Sequence, residues 1–374
     1  MAELSEQDRA QALVTIDRDR EELSLKLKTL EARRADIAGK KNPFASAFTS
    51  AKDKGLFERD AWPPREALLT HEDRQLAMPR GELAILVGEG GIGKSWALLQ
   101  LAVCVATGRE WLGYKVPTEA PGGVAVIMAE EESEELLRRL HIICRHMNLS
   151  EGDRANVEQR VFPFGAVGNV PKLVAFDEST KKTIQGEGFP DLEQLLKERA
   201  PTTDKLDAHG QPERGWSLII CDPLVKFLPP GSENDNTIAS AFVDVIVSWP
   251  KELPGRPTML FAHHTNKSSR SGGRNYGGST GAARGATALT DSFRCQLNLW
   301  AEESATGGNS DDLFLAITKS NYGPKGERRD LIRIENAQGM FGRLDARHKE
   351  PTQPKTRVAT TKRELEIDDF EDDE

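Results

Sequence analysis

Residues 88–95, Gly-Glu-Gly-Gly-Ile-Gly-Lys-Ser, constrain this chain more than any other feature. Gly88, Gly90, Gly91 and Gly93 allow backbone conformations that side chains with a Cβ resist. The apolar run 82–87 precedes them and reads as a strand, and 95–105 follows with a helical pattern. A glycine loop in that setting turns successive N–H groups into one concavity, to which the helix N-terminus adds its positive dipole end. Phosphate is the group that fits. The spacing G-x-x-x-x-G-K-[ST] adds an ammonium, Lys94, for the β- and γ-phosphates and a hydroxyl, Ser95, for Mg²⁺. The nucleotide-binding set is then Gly88, Glu89, Gly90, Gly91, Ile92, Gly93, Lys94, Ser95 and Trp96, with ATP and Mg²⁺ as cofactors. The competing reading, a glycine turn without a ligand, does not account for Lys-Ser at the head of a helix.

The rest of the chain supplies a frame for this loop. Apolar runs at 122–128, 216–221, 258–262 and 313–318 alternate with helical patterns at 134–144, 190–200 and 239–249, while 201–214 reads as a polar loop. Strands alternating with helices predict an α/β domain with a mainly parallel central sheet flanked by helices, spanning 79–345. Residues 42–78 carry Pro43, Pro63 and Pro64 with little periodicity and read as a linker. In residues 1–41, Leu13, Ile16, Leu23, Leu27, Leu30 and Ile37 follow a heptad seam that Arg20 and Arg34 interrupt. That seam fits a charged helix lying on its own domain and equally one that packs on another subunit as a coiled coil or oligomerisation arm. Residues 346–374 end in a run of Asp and Glu and read as a disordered acidic tail.

Two carboxylates complete a hydrolytic site. Leu218-Ile-Ile-Cys-Asp222 is an apolar strand ending in an acid, the pattern that delivers a Mg²⁺-holding carboxylate (Asp222) beside a phosphate loop. Val124-Ala-Val-Ile-Met-Ala-Glu130 ends a second strand in an acid able to orient and deprotonate water. Glu131 and Glu132 read as solvated acids at a helix N-terminus, where the dipole favours them.

Composition narrows the rest. A net charge of −9 gives no global attraction to nucleic acid, so such a contact needs a local basic patch. Residues 267–284 hold one: Lys267, Arg270, Arg274 and Arg284 without an acid, in a Gly- and Ser-rich segment with Tyr276 available to stack on a base. That combination suits single-stranded DNA, and its plain alternative is a solvent loop. The four cysteines are widely spaced without a Cys-x-x-Cys pair, as expected for reduced thiols in a cytoplasmic protein. No apolar run reaches membrane-spanning length.

Together these residues resemble the RepA-type hexameric replicative DNA helicases within the RecA/DnaB superfamily of P-loop ATPases, over roughly 79–345. The resemblance is carried by the phosphate loop, Ala129-Glu130, Arg139-Leu140, Asp222-x-Leu224, Phe261-x-His263-His264 and Lys319-x-Asn321-Tyr322-Gly323. It implies a RecA-like fold and a homo-hexameric ring that translocates on single-stranded DNA and unwinds duplex in plasmid, phage or mobile-element replication. A replication initiator or primase is the implied partner. It further implies that Glu130 is the general base, that His264 senses the γ-phosphate, and that Arg294 and Lys319 reach the neighbouring subunit's ATP. A RecA-like recombinase or mediator, and a nucleotide-switched adaptor or defence ATPase, remain as alternatives on the same residues.

Overall fold

The computed structural model describes residues 49–58, 62–117, 122–177, 179–180, 182–206, 212–229, 236–265, 291–303 and 309–344. The readings made for residues 1–41, 267–284 and 346–374 lie outside them. The chain divides into a unit ending at Pro64 and one running from Arg65 to the C-terminus. In the first, residues 51–57 form turns, and the Trp62 indole donates to the Leu56 carbonyl at 3.3 Å.

The second unit runs in chain order β1 (Ala67–Thr70), β2 (Leu76–Pro79), β3 (Leu83–Gly88), α1 (Lys94–Thr107), β4 (Gly123–Met128), α2 (Ser133–His146), α3 (Glu151–Arg160) and β5 (Val161–Gly165). It continues through β6 (Val174–Asp177), β7 (Lys182–Gln185), α4 (Gly188–Arg199), β8 (Thr202–Leu206), β9 (Pro212–Arg214) and β10 (Trp216–Asp222). A 3-10 turn (Leu224–Phe227), α5 (Asn236–Ile246), α6 (Trp249–Glu252), β11 (Thr258–His264), β12 (Cys295–Glu303), β13 (Asn309–Ser320), β14 (Arg329–Arg333) and β15 (Phe341–Arg343) complete it.

Nine strands form one sheet in the order β15-β14-β13-β12-β3-β11-β10-β4-β5. The six from β12 to β5 are parallel, and β13 to β15 extend the sheet antiparallel. Parallel strands covered on both faces need apolar residues at every position, and β3, β4 and β10 are buried throughout. Alternate residues serve opposite faces. Ala84, Leu86, Val126 and Ile220 pack with α1 and α2, whereas Ile85, Ile127, Ile219 and Phe261 pack with α4 and α5. Helix α1 stops at Gly108, whose left-handed φ of 72° lets its N–H return to the Cys104 carbonyl.

The structure departs from the sequence reading at several places. Residues 67–79, expected within the linker and at its end, form the β1–β2 hairpin, and Leu68, Leu69, Ala77 and Met78 are fully buried. Two four-residue strands are too short to show periodicity between prolines. Within 201–214, read as a polar loop, β8 and β9 pair antiparallel, since a backbone ladder needs no apolar alternation. The helix read at 239–249 is two helices, with Pro250 at the start of the second. Helix α3 and strands β5, β6, β7, β12, β14 and β15 carry no signal strong enough to be read in advance. Cys104, Cys221 and Cys295 are buried and Cys144 is half-buried, all as free thiols.

Phe261 is fully buried and meets Phe242 and Phe293 edge-on at 5.8 and 5.9 Å between ring centres. Phe261→Ala removes the ring that joins the sheet to that helical layer. It is expected to cost about 3–5 kcal/mol, measured as a lower urea midpoint at unchanged slope.

Candidate nucleotide site

The parallel strands bring the predicted residues to one edge. The register sets Gly88 at the end of β3 beside His264 at the end of β11, and Asp222 at the end of β10 beside Met128 of β4. The Ala129 N–H donates to the Asp222 carbonyl at 2.8 Å, fixing where Glu130 leaves the sheet. This is the C-terminal edge of an open α/β sheet, where ligands of such folds bind.

Within the loop, Gly91 and Gly93 have φ of 77° and 106°. At Gly93 a Cβ would also lie 2.7 Å from Cζ of Phe341, so both conformation and space require glycine. Lys94 is 6% exposed, and its Nζ donates to the carbonyls of Gly88 at 2.9 Å and Glu89 at 2.8 Å. Burial holds its pKa below the usual lysine value, against the pull of Asp222, Glu130 and Glu89. The Ser95 hydroxyl donates to Oδ2 of Asp222 at 2.6 Å. Burial raises the Asp222 carboxyl above the ordinary range, while the Ser95 bond and Lys94 draw it back.

Ser95 and Asp222 offer paired hard oxygen donors beside the phosphate loop, which fits a Mg²⁺ that takes the rest of its shell from phosphate and water. Among the described residues no three His, Cys, Asp or Glu side chains converge into an all-protein metal cage.

The three consecutive acids separate. Glu131 pairs with Arg139 at 2.7 Å, and Glu132 occupies the position before α2 in extended conformation. Glu130 is exposed, 3.4 Å from Nζ of Lys226, and its charge acts on both Lys94 and Asp222. His264 Nδ1 lies 3.4 Å from Lys94 Nζ. His263, its neighbour, points to the other side of the strand and is 3% exposed. Trp96 is half-buried, with the Arg139 guanidinium 5.6 Å from its ring centre.

Arg294 and Lys319 sit elsewhere. The Arg294 N–H donates to the Leu83 carbonyl at the entry of β3, five residues and so about 17 Å from Gly88. Lys319 lies beside it on β13 and donates from Nζ to the Asp291 carbonyl at 2.8 Å. Burial lowers the Lys319 pKa, Asp291 opposes this, and the Arg294 charge adds to the lowering. The rest of the Lys-x-Asn-Tyr-Gly motif braces this edge. Asn321 N–H donates to the Arg294 carbonyl at 3.0 Å, Tyr322 Oη donates to Glu82 at 3.3 Å, and a Cβ on Gly323 would overlap the Leu76 carbonyl. Thus the two cations are brought to each other and kept away from the phosphate loop of their own chain.

Two residues escaped the sequence reading, Lys226 beside Glu130 and Arg333 beside the loop. Lys226 has no motif around it. Arg333 donates from Nη2 to the Ile92 carbonyl at 2.8 Å across a sequence separation of 241, a distance no local pattern bridges. Lys267, Arg270, Arg274, Tyr276 and Arg284 fall outside the described residues.

The sheet order, the loop and the Ser95–Asp222 pair define a P-loop ATPase of RecA-like fold. A profile of the AAA domain family AAA_25 matches residues 56–270, more than half the chain, and the chain belongs to that family. A solved DnaB-like replicative helicase, described with its interactions with primase, aligns with TM-score 0.52 and 12% identity over 91% of this chain and 77% of that one. A second solved structure, an isolated ATPase domain, aligns with TM-score 0.47 and 11% identity, over 82% of this chain and 100% of that one. A KaiC-like protein from Pyrococcus horikoshii OT3 aligns with TM-score 0.44 and 10% identity, over 76% and 100%. At such identities the likeness to the replicative helicase is one of fold.

Asp222→Asn keeps the shape of the acid and removes its charge. Hydrolysis is expected to fall by about 10²-fold or more, with ADP affinity in the absence of Mg²⁺ changed far less, measured by phosphate release and calorimetry.

Proposed function

We propose that the protein is a ring-shaped ATP-driven helicase that moves on single-stranded DNA and unwinds duplex, with each active site shared between two subunits. The observation that carries the reading is His264. Its imidazole lies 3.4 Å from the phosphate-loop lysine, and it ends the strand from which the chain runs into the basic segment 267–284. A group there meets the γ-phosphate on one side and the DNA segment on the other, so phosphate loss changes the hold on the strand. The opposite-edge placement of Arg294 and Lys319 supports the shared site, because neither side chain serves its own loop.

In the proposed cycle the loop N–H groups and Lys94 hold the β- and γ-phosphates. Ser95 and Asp222 would hold Mg²⁺, which when bound neutralises phosphate charge. Glu130 takes a proton from the attacking water, and Arg294 and Lys319 of the adjacent subunit offset charge developing on the transferred group. His264 then relays the change to residues 267–284, where Lys267, Arg270, Arg274 and Arg284 grip phosphates and Tyr276 stacks on a base. The setting is replication of a plasmid, phage or other mobile element, with an initiator or primase as partner.

Unwinding of a forked duplex, assayed beside negative-stain imaging, tests the reading: closed rings that unwind support it. Filaments that exchange strands favour a recombinase, and turnover indifferent to single-stranded DNA favours an adaptor ATPase. Lys94→Ala and Arg294→Ala should each abolish turnover alone. A mixture of the two should regain it, because some interfaces then join an intact loop to an intact finger; no recovery would remove the shared site. Replacing Lys267, Arg270, Arg274 and Arg284 by Ser should weaken single-stranded DNA binding. The slope of log affinity against log salt should then flatten by about 3, at ~0.7 per lost phosphate contact.

A further inference from the structure

We infer that Arg333, on the C-terminal hairpin and outside the segment the family profile matches, is a positioning residue for nucleotide binding: it aims the phosphate loop by holding the Ile92 carbonyl. The Nη2 of Arg333 donates to that carbonyl at 2.8 Å. Ile92 stands between Gly91 and Gly93, whose φ of 77° and 106° mark the stretch of loop with the least local restraint. Because the peptide unit is planar, the Ile92 carbonyl and the Gly93 N–H point in opposite directions. Holding the carbonyl therefore fixes the direction of the N–H. Were this peptide to turn over, a carbonyl dipole would face the phosphate in place of a donor.

The brace works only if the hairpin is itself fixed against α1, and three contacts fix it. The Gln100 side-chain amide donates to the Phe341 carbonyl at 2.8 Å and accepts from the Phe341 N–H at 2.9 Å, both buried. The Phe341 ring lies against Gly93, where a Cβ would be 2.7 Å from Cζ. Gly339 closes on Trp96, leaving a Cβ only 2.9 Å from Cδ1 of the indole. The guanidinium, 5.2 Å from the Phe341 ring centre, is thus carried on a short two-stranded arm clamped to the first turns of α1. A cation at this point also adds to the positive field behind the loop.

Loop N–H groups meet phosphate alike in the ground state and the transition state. Their misalignment weakens binding uniformly and leaves the chemical step largely unchanged. Ser95 and Asp222 meet developing charge through the metal and have the opposite signature, while Lys94 binds the phosphates as well as meeting that charge, so its loss lowers affinity and kcat together.

The inference rests on residues 88–95 being the ATP site, and the experiment separates the two. ADP affinity by calorimetry and steady-state ATPase kinetics are measured on the full chain for Arg333→Gln, Arg333→Lys and Lys94→Ala. In Arg333→Gln the ADP Kd and the KM for ATP are expected to rise about tenfold or more, with kcat within about twofold. Arg333→Lys, which keeps a cationic donor, should recover most of the loss. Unchanged ADP affinity in Arg333→Gln beside weakened affinity in Lys94→Ala overturns the brace alone; unchanged affinity in both overturns the site assignment. A fall in kcat without a rise in KM would place Arg333 in the chemical step, and equal losses in the Gln and Lys variants with a lower nucleotide-free Tm would mark a fold effect; either overturns the proposal.

Discussion

A desolvated ammonium organises this molecule. Lys94 is almost wholly buried at the end of a parallel sheet, and a buried charge left without partners costs several kcal/mol. Its partners are the Gly88 and Glu89 carbonyls of its own loop, with Asp222 near enough to act on it. These bonds hold the curl of the loop around the ammonium at the end of β3. The Ser95–Asp222 bond closes the other side.

The two edges of the sheet divide the labour. The C-terminal edge collects Lys94, Ser95, Glu130, Asp222 and His264, because parallel strands all point the same way and deliver their last residues together. The opposite edge carries Arg294, whose backbone N–H donates to the Leu83 carbonyl, and Lys319, whose Nζ donates to the Asp291 carbonyl, both braced by Asn321, Tyr322 and Gly323. Parallel strands separate the two sets by the length of β3. That division keeps the cationic edge apart from its own phosphate loop, and in the proposed ring it is the edge a neighbour's site would meet.

Beyond the parallel core, β13 to β15 connect these edges by a second route. β13 carries Lys319, β14 carries Arg333, and β15 places Phe341 against Gly93. The antiparallel extension is thus joined through hydrogen bonds both to the cationic edge and to the back of the phosphate loop.

The sequence by itself determined the loop, the strand that leads into it, the two acids at strand ends and the α/β class. Each of these is a local pattern: glycine spacing, apolar runs of strand length, a carboxylate ending a run. It did not disclose the β1–β2 and β8–β9 pairs, whose strands are short or polar, nor β12, β14 and β15, although the run 313–318 marked β13. It pointed to Glu130 as the base partly through a family resemblance and left Glu131 and Glu132 as solvated acids; only the fold pairs Glu131 with Arg139 and sets Glu130 next to Lys226. Arg333 shows the limit most plainly. Its contact with Ile92 spans 241 residues and exists only because the sheet's last hairpin returns to the start of α1. Backbone conformation and strand burial are dictated by neighbours in the chain, so sequence reveals them. Which side chains meet across the sheet depends on strand order and register, and those were decided only by the tertiary structure.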